Sequence, residues 1–243
     1  MDHALYVAMT GANQLLQAQT VNNANLANIN TVGFRAELAA QTAVPIAGPG
    51  LPSRVDAALA PGGFSNAEGS LQSTGNPLDV AVQGNHWIAV QTPDGTTAYT
   101  RAGNLHLTAN GQLVNGAGRA VLDQSGSPLA VPPSASITIG GDGTVSVVPL
   151  GQTPNTVAQV GRIEVVTATP QQLVRGTDGL FHAADPNNPP LPVAGHVLIT
   201  GALESSNVNP AEALVQMIQL SRQFELQTKL MQTVDQNGQS STS

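Results

Sequence analysis

The sequence predicts an α+β protein in which N- and C-terminal α-helices form a coiled-coil-like axial domain, joined by an extended connector to an all-β central body. Both chain ends repeat apolar residues every three or four positions, as helices do along a packed seam. Most of the 25 Gly and 17 Pro lie between these ends, among short β-prone runs and turn dipeptides. We assign residues 1–40 with 205–243 to the axial domain, 41–75 to the connector and 76–204 to the body.

The N-terminal segment, residues 3 to 30, contains no Pro and a single Gly, Gly11. Its uninterrupted 3-4 spacing predicts a helix whose seam has two polar positions near the centre. The opposite face is rich in amide side chains and carries almost no charge. The seam positions are Leu5, Ala8, Ala12, Leu15, Gln19, Asn22, Leu26 and Ile29.

The C-terminal helix has a strong start signal. Asn209 at the N-cap, Pro210 at the first helical position and Glu212 at the third are residue types that helix starts favour. The repeat that follows weakens near Asn237 and Gly238, and we expect the Ser/Thr tail beyond it to be disordered. The repeating positions are Leu214, Met217, Ser221, Phe224, Thr228 and Met231.

The region between the helices reads as two different segments. Pro45, Pro49, Pro52 and Pro61 mark residues 41–75 as an extended connector with little regular structure. The body that follows alternates strand signals with turns such as Asp94-Gly95, and this pattern predicts an all-β fold. Its β-prone runs are Val80 to Val82, Trp87 to Gln91, Tyr99 to Arg101, Ser136 to Ile139, Thr144 to Val148, Arg162 to Thr167 and His196 to Thr200.

Composition argues against several classes of partner. Charged residues make up only 9% of the chain, and the eight Lys and Arg are scattered, so a nucleic-acid surface is not expected. No apolar run approaches the ~20 residues of a membrane span. The N-terminus lacks the basic and apolar regions of a cleaved signal peptide. With no cysteine, the chain has neither disulfides nor thiolate metal sites.

No motif for catalysis, cofactor binding or metal binding stands out, and we predict that the protein is not an enzyme and has no cofactor. The five histidines form no metal-binding pair, and no nucleophile elbow is present. Asp79, Asp94 and Asp123 leave a glycoside hydrolase as an alternative, although nothing in their spacing requires it. A second alternative is a secreted β-rich carbohydrate-binding module, for which one Trp and two Tyr are a poor supply of stacking rings.

An asparagine cluster at positions 22, 23, 25, 28 and 30 has two interpretations. It could be a solvated helix face that gives way to a loop. Alternatively, the helix packs tightly among neighbours, where small and amide side chains permit close approach and hydrogen bonds. Gly33 then ends the segment at a left-handed turn, with Phe34 behind it as an apolar anchor.

Four segments resemble a known family in sequence and in order. They are residues 25–35 (NLANINTVGFR), 74–84 (TGNPLDVAVQG), 97–103 (TAYTRAG) and 206–210 (SNVNP), the last continued by Met217-Ile218 and 222–225 (RQFE). They resemble the flagellar rod, hook and hook-associated proteins, whose N-terminal signature reads roughly A-N-N-L-A-N-x-x-T-x-G-[FY]-[KR]. Within that family, residues 154–162, 209–210 and 222–227 favour a proximal rod subunit, with a distal rod subunit as the alternative.

The resemblance implies a structural subunit of the flagellar basal-body rod, the axial drive shaft that transmits torque from motor to hook. It implies contacts with other rod subunits and with copies of itself, and export into the periplasm through the flagellar type III apparatus without a cleaved signal peptide. The residues expected at subunit interfaces are Leu5, Ala8, Ala12, Leu15, Asn22, Asn25, Leu26, Ala27, Asn28, Ile29, Gly33, Phe34, Asn209, Pro210, Leu214, Met217, Ser221, Phe224 and Met231.

Overall fold

The computed structural model describes residues 2–45, 55–153 and 156–240, with side chains described for 8–39, 62–153, 156–234 and 236. Helix α1 spans Asp2–Ala27 and helix α2 spans Pro210–Ser240. The strands are β1 (Glu37–Pro45), β2 (Val55–Phe64), β3 (Leu71–Ser73), β4 (Val80–Val82), β5 (His86–Gln91), β6 (Thr97–Thr100), β7 (Leu105–Leu107), β8 (Leu113–Asn115), β9 (Ser134–Ile139), β10 (Thr144–Pro149), β11 (Ala158–Arg162), β12 (Val165–Thr167), β13 (Leu173–Arg175), β14 (Phe181–Ala183), β15 (Leu191–Pro192), β16 (Leu198–Thr200) and β17 (Ala202–Glu204).

The chain divides into two units. The helical unit contains α1, α2 and the antiparallel pair β1–β2, and α1 contacts each of the other three elements. The β unit comprises Asn30–Arg35 and Asn66–Asn207. A short N-terminal segment therefore belongs to the β unit, although the β1–β2 pair separates it in sequence from the rest of that unit.

The predicted start of α2 is confirmed. The side-chain Oδ1 of Asn209 accepts hydrogen bonds from the backbone N–H groups of Ala211 at 3.0 Å and Glu212 at 3.4 Å. These are two of the backbone donors that a helix start leaves without an intrahelical partner. Asn209 thus caps α2, which begins at Pro210 and has Glu212 in its first turn, as the sequence predicts.

The predicted coiled-coil-like axial domain was wrong. The described ranges contain two α-helices, one at each end, without the paired rows of large apolar side chains that a coiled coil requires. On α1 the buried positions carry small or amide side chains, and on α2 Leu214, the first position of the predicted repeat, is 49% exposed. The buried side chains of α1 are Ala8, Ala12, Gln14, Ala18 and Asn22.

Regular structure also occurs where the connector was predicted. Residues 41–75 include the end of β1, all of β2 and all of β3, and β1 pairs with β2 from Glu37 and Phe64 to Pro45 and Val55. Residues 46–54, which hold two of the four prolines, lie outside the described residues. Proline is tolerated in such a pair because each strand of a two-stranded ribbon has one edge that needs no N–H donor.

The β unit is built from antiparallel pairs and sheets. Its six-stranded sheet has the order β13-β14-β6-β5-β12-β15, and a three-stranded sheet has the order β11-β10-β9. The pairs β16–β4, β17–β3 and β7–β8 complete it. Gly95, of the predicted Asp94-Gly95 turn, has positive φ, and so do Gly111, Gly143 and Gly179, each of which follows an Asn or Asp.

One apolar cluster forms the core of the β unit, and most of the β-prone runs predicted from the sequence contribute residues to it. Its buried members are Val80, Val82, Ile88, Val90, Ala98, Leu105, Leu113, Val121, Leu129, Val131, Ile139, Val145, Val147, Ile163, Val165, Leu180, Val197 and Leu198. Alternating residues of the strands supply this core, since successive side chains of a strand point to opposite faces. Trp87, the chain's one tryptophan, is 1% exposed.

Candidate assembly surfaces and a buried arginine–glutamate centre

The two helices approach each other through small and amide residues of α1. At Gly11 a Cβ atom would lie 2.4 Å from Nε2 of Gln227 on α2. Asn22 is buried and donates from Nδ2 to the Ala213 carbonyl at 2.8 Å. Gln14 is also buried, and its Nε2 has no hydrogen-bond partner among the described residues. This contact therefore depends on close approach and hydrogen bonds more than on apolar area.

The residues predicted at subunit interfaces fall into three groups by burial. Several are buried inside their own unit, and others are half-buried or exposed; the side chain of Leu5 lies outside the described residues. The buried ones are Ala8, Ala12, Asn22, Gly33 and Phe34; the half-buried ones are Leu15, Asn25, Leu26, Asn28, Ile29, Met217, Ser221, Phe224 and Met231; the exposed ones are Ala27, Asn209, Pro210 and Leu214.

Asn25 ties the end of α1 to the start of β1. Its Nδ2 donates to the Glu37 carbonyl at 2.9 Å, and its Oδ1 accepts from the Glu37 N–H at 2.8 Å. A side-chain amide can satisfy both backbone groups of one residue in this way because it carries a donor and an acceptor side by side. Together with Asn22, it gives part of the asparagine cluster a role within the chain itself.

Replacing Asn25 with Ala should destabilise the attachment of β1 to α1 by about 1–2 kcal/mol, because both hydrogen bonds to Glu37 are lost. The measurement is hydrogen exchange of the Glu37 amide in the full chain, which should become about tenfold faster. Asn25→Asp is the matched control, since it keeps the acceptor and should protect that amide better than Ala does. Equal exchange in all three chains would contradict this role.

A set of apolar side chains on α2 is exposed. This apolar set consists of Leu214, Val215, Ile218, Leu226 and Leu230, and each member is 49–66% exposed. At about 100° per residue, Val215, Ile218 and Leu226 lie on the side of the helix opposite to Ala213 and Leu220, which are buried, and Leu214 and Leu230 lie at the two edges of that side. Helix α2 is therefore apolar on two opposite sides, of which one is covered within the chain.

The β unit contains a buried ion cluster, here called the arginine–glutamate centre, formed by Arg35, Arg101 and Glu204. Glu204 Oε1 lies 2.9 Å from Arg35 Nη2, and Glu204 Oε2 lies 2.6 Å from Arg101 Nε. All three side chains are at most 2% exposed. The Gly69 N–H also donates to Glu204 Oε1 at 2.9 Å. One carboxylate thus holds two guanidinium groups away from water.

The remaining donors of Arg101 bind backbone carbonyls. Nη1 donates to the carbonyls of Gly84 at 2.7 Å and His86 at 2.8 Å, and Nη2 donates to that of Val82 at 2.5 Å. The guanidinium carbon lies 5.6 Å from the centre of the Trp87 ring. Arg101 therefore fixes the β4–β5 turn, and Trp87 lies close enough to report on its surroundings.

Arg35 lies in a less favourable environment. Its Nη1 donates to the carbonyls of Asn66, at 3.0 Å, and Ala67, while its buried Nε has no partner among the described residues. Burial, followed by repulsion from Arg101, lowers the pKa of Arg35 to about 10, against an opposing effect of Glu204. The guanidinium stays protonated at neutral pH, so the centre carries two positive charges on one carboxylate.

Gly33 and Phe34 place Arg35 in this centre. Gly33 has φ +67°, its N–H donates to the Glu204 carbonyl at 2.8 Å, and a Cβ atom there would lie 2.3 Å from the carbonyl carbon of Arg101. Phe34 is buried, and the guanidinium carbon of Arg175 lies 4.3 Å from the centre of its ring. The expectation of a left-handed turn at Gly33 is confirmed, and a glycine is required there for conformation and for space.

The four segments that carry the family resemblance meet at this centre. Arg35 ends the first segment, Val82 and Gly84 belong to the second, Arg101 belongs to the third, and Asn207 in the fourth donates its N–H to the Phe34 carbonyl at 3.3 Å. Glu204 was missed in the sequence analysis. Its position two residues before the fourth segment is the signal that could have suggested it.

Three family models match the chain. Residues 5–35 match the flagella basal body rod protein family, residues 81–147 the D1 domain of the flagellar hook proteins FlgE/F/G, and residues 199–243 the C-terminal region of the flagellar basal body rod FlgEFG proteins. The flagellar basal-body rod protein FlgF of Escherichia coli (strain K12) is 43% identical over 98% of this chain and 96% of its own length. The chain belongs to the flagellar basal-body rod protein family.

Further rod relatives indicate its place within the family. FlgF of Salmonella typhimurium is 42% identical over 98% of this chain and 96% of its own length, and FlgG of Buchnera aphidicola subsp. Schizaphis graminum is 34% identical over 96% of each. Like these rod proteins, the chain is a structural basal-body rod subunit, and it is most like FlgF. Within the described ranges, neither helix has the length and apolar character needed to cross a membrane.

Proposed function

We propose that this rod protein joins the flagellar drive shaft through its helical unit, with the apolar set of α2 covered by helices of neighbouring subunits. The neighbours are other rod subunits and further copies of this chain. The observation that carries the proposal is that α2 is apolar on two opposite sides while α1 covers only one of them. An exposed row of large apolar side chains on one helix marks an interaction surface.

The chemistry of this surface suits a torque-bearing assembly. Each member of the apolar set would contribute up to about 1–2 kcal/mol to the association of subunits on complete burial. The resistance of the rod to torque would therefore come from many weak contacts. Residues 4 to 34 carry no Asp, Glu, Lys or Arg, and α1 exposes Asn13, Thr20 and Asn23. Such helices can be packed at high density without like-charge repulsion. Contacts between unlike patches extend into open helical arrays instead of closing into dimers.

The two ends of the sequence, residues 1–40 and 205–243, then contribute to the inner tube of the rod. The rod spans the periplasm, and the chain reaches it through the flagellar type III apparatus. Its role is mechanical and not enzymatic, in keeping with the rod-protein names of its relatives.

Deleting the gene should abolish swimming and leave basal bodies without a complete rod. Isolated basal bodies from the complemented strain should contain this chain in a fixed ratio to the other rod proteins, measured by quantitative mass spectrometry. Complementation with an unrelated exported protein serves as the control. Normal rods in the deletion strain, or basal bodies that lack the chain, would refute the proposed function.

A further inference from the structure

The β unit is closed by residues from distant parts of the sequence. Arg35 and Glu204 lie at opposite ends of this unit's sequence, yet they form a direct ion pair inside it. On the ribosome, which releases the N-terminus first, Arg35 emerges long before Glu204, and the centre cannot form until residue 204 has emerged.

Several backbone contacts depend on the same late segment. The Gly33 N–H binds the Glu204 carbonyl at 2.8 Å, and the Ser205 N–H binds the Ser70 carbonyl at 2.9 Å. Strand β17 pairs with β3 from Ala202 to Glu204. The arrival of residues 202–207 therefore supplies the acid of the centre, one strand of a pair and the partners of the N-terminal segment together.

Much of the remaining β unit consists of local pairs. Strands β5 and β6, β7 and β8, and β9 and β10 pair with their nearest neighbours in sequence. Local pairs have short loops to close and form readily, whereas contacts between distant residues carry a larger loop-closure cost. These hairpins can therefore form before the two ends of the unit meet.

Before Glu204 arrives, the two arginines oppose closure. Arg101 has backbone carbonyl partners, but the carboxylate with direct ion pairs to Arg35 and Arg101 in the described structure is that of Glu204. The acid that remains near Arg35 without Glu204 is Glu68, which is exposed. Burying two guanidinium groups side by side without a buried carboxylate between them costs several kcal/mol, because each loses its hydration. An early, partly closed β unit is disfavoured for this reason.

We propose that the arginine–glutamate centre is the closing contact of the β unit, which stays open until residues 202–207 join the N-terminal segment 30–35. The inference concerns folding and stands independently of assembly into a rod. One consequence rests on the function proposed above: a chain that has to leave the cell unfolded benefits from a body that cannot close before residues 202–207 have been synthesised.

The test uses the purified full chain at pH 7, with unfolding and refolding in urea followed by the fluorescence of Trp87. This residue is the one tryptophan and is buried in the β unit, so the signal reports that unit alone. Glu204→Gln should raise the unfolding equilibrium constant by on the order of 100-fold or more. If the contact forms last in folding, nearly all of this rise comes from a larger unfolding rate constant. The refolding rate constant then falls by less than about 2-fold.

Glu164→Gln is the matched control. Glu164 lies in the same unit, and burial together with the nearby Asp123 raises its pKa, so its ionised form is disfavoured in the folded state. Neutralising it should leave the unfolding constant unchanged or slightly lower. The proposal would be overturned if Glu204→Gln changed the unfolding equilibrium constant no more than Glu164→Gln does. It would also be overturned if the refolding rate of Glu204→Gln fell by the same factor as the unfolding equilibrium constant rises.

Arg35→Gln keeps the test decisive if the Glu204→Gln chain does not fold. This change leaves Glu204 paired with Arg101 alone, so the unfolding equilibrium constant should rise by less, on the order of 10-fold. Nearly all of this rise should again come from faster unfolding. Slower refolding of Arg35→Gln in proportion to its loss of stability would show that the centre forms early. None of these measurements depends on rod assembly, so their failure is distinguishable from failure of the proposed function.

Discussion

Replacing Gly33 with alanine should lower the free energy of unfolding of the β unit by at least about 3 kcal/mol. Part of this loss is conformational, because Gly33 has φ +67°, which L-residues adopt at a cost of about 1–2 kcal/mol. The larger part is steric. A Cβ atom would lie 2.3 Å and 2.4 Å from the carbonyl carbon and oxygen of Arg101 and 2.6 Å from the Ala102 nitrogen. These are backbone atoms of a rigid segment, which cannot rotate away.

Gly95→Ala separates the two contributions. Gly95 has a similar φ of +79°, but a Cβ atom there would meet nothing within 4 Å, so its replacement carries only the conformational cost. Urea unfolding of both variants, followed by Trp87 fluorescence, gives the difference directly. We expect Gly33→Ala to lose at least about 2 kcal/mol more than Gly95→Ala. Similar losses would mean that the close approach to Arg101 contributes little.

The elements with strong local signals were predictable from the sequence. The cap at Asn209 and the periodic, proline-free ends indicate both helices, because these signals act within one or two turns of the chain. Strand β4 was predicted with its observed bounds, and the runs predicted for β5, β6, β9, β10 and β16 end within two residues of those strands. Most of the remaining strands, among them β1, β2 and β7, had no predicted run. The run from Arg162 to Thr167 is split into β11 and β12, since Ile163 and Glu164 pair elsewhere, at Asp123 and at Leu122 and Ala89.

The packing of the helices was not predictable in the same way. A 3-4 repeat predicts which residues share one face of a helix. It does not predict whether large side chains or close backbone approach dominate the contact between two helices. Here Gly11 leaves room for the Gln227 side chain of α2, and the apolar residues of α2 divide between two sides. The periodicity alone suggested a coiled coil, and the small and polar residues buried on α1 are the reason that this prediction failed.

The arginine–glutamate centre depends on long-range topology. Arg35 and Arg101 lie within segments that the family resemblance identified, but no local rule relates either of them to Glu204. Gly33 was predicted as a left-handed turn because a glycine is a local signal for such a turn. That Gly33 also leaves room for the Arg101 backbone is visible only in the folded structure. The asparagine cluster was read as a solvated face or a packed one, yet Asn22 and Asn25 bind backbone groups of the same chain.

The double substitution Ile218→Asp with Leu226→Asp should abolish rod assembly while leaving the isolated chain folded. Both side chains are exposed, at 55% and 66%, so their replacement costs the monomer at most about 0.5 kcal/mol each. In an assembled rod, the proposed neighbours would cover these positions. An unpaired carboxylate buried there would cost several kcal/mol per site, repeated in every subunit of the shaft.

The measurement is complementation of a strain that lacks the gene, scored by swimming and by counting rods on isolated basal bodies. Gln216→Asp adds the same charge to an exposed residue of the same helix whose neighbours three and four positions away lie outside the apolar set, and it should support normal rods. Ile218→Leu with Leu226→Met keeps the apolar surface and should also support them. Thermal unfolding of each purified chain separates failed assembly from failed folding. If the double aspartate chain folds normally and still builds rods, the apolar set of α2 does not face a neighbouring subunit, and another surface has to carry assembly.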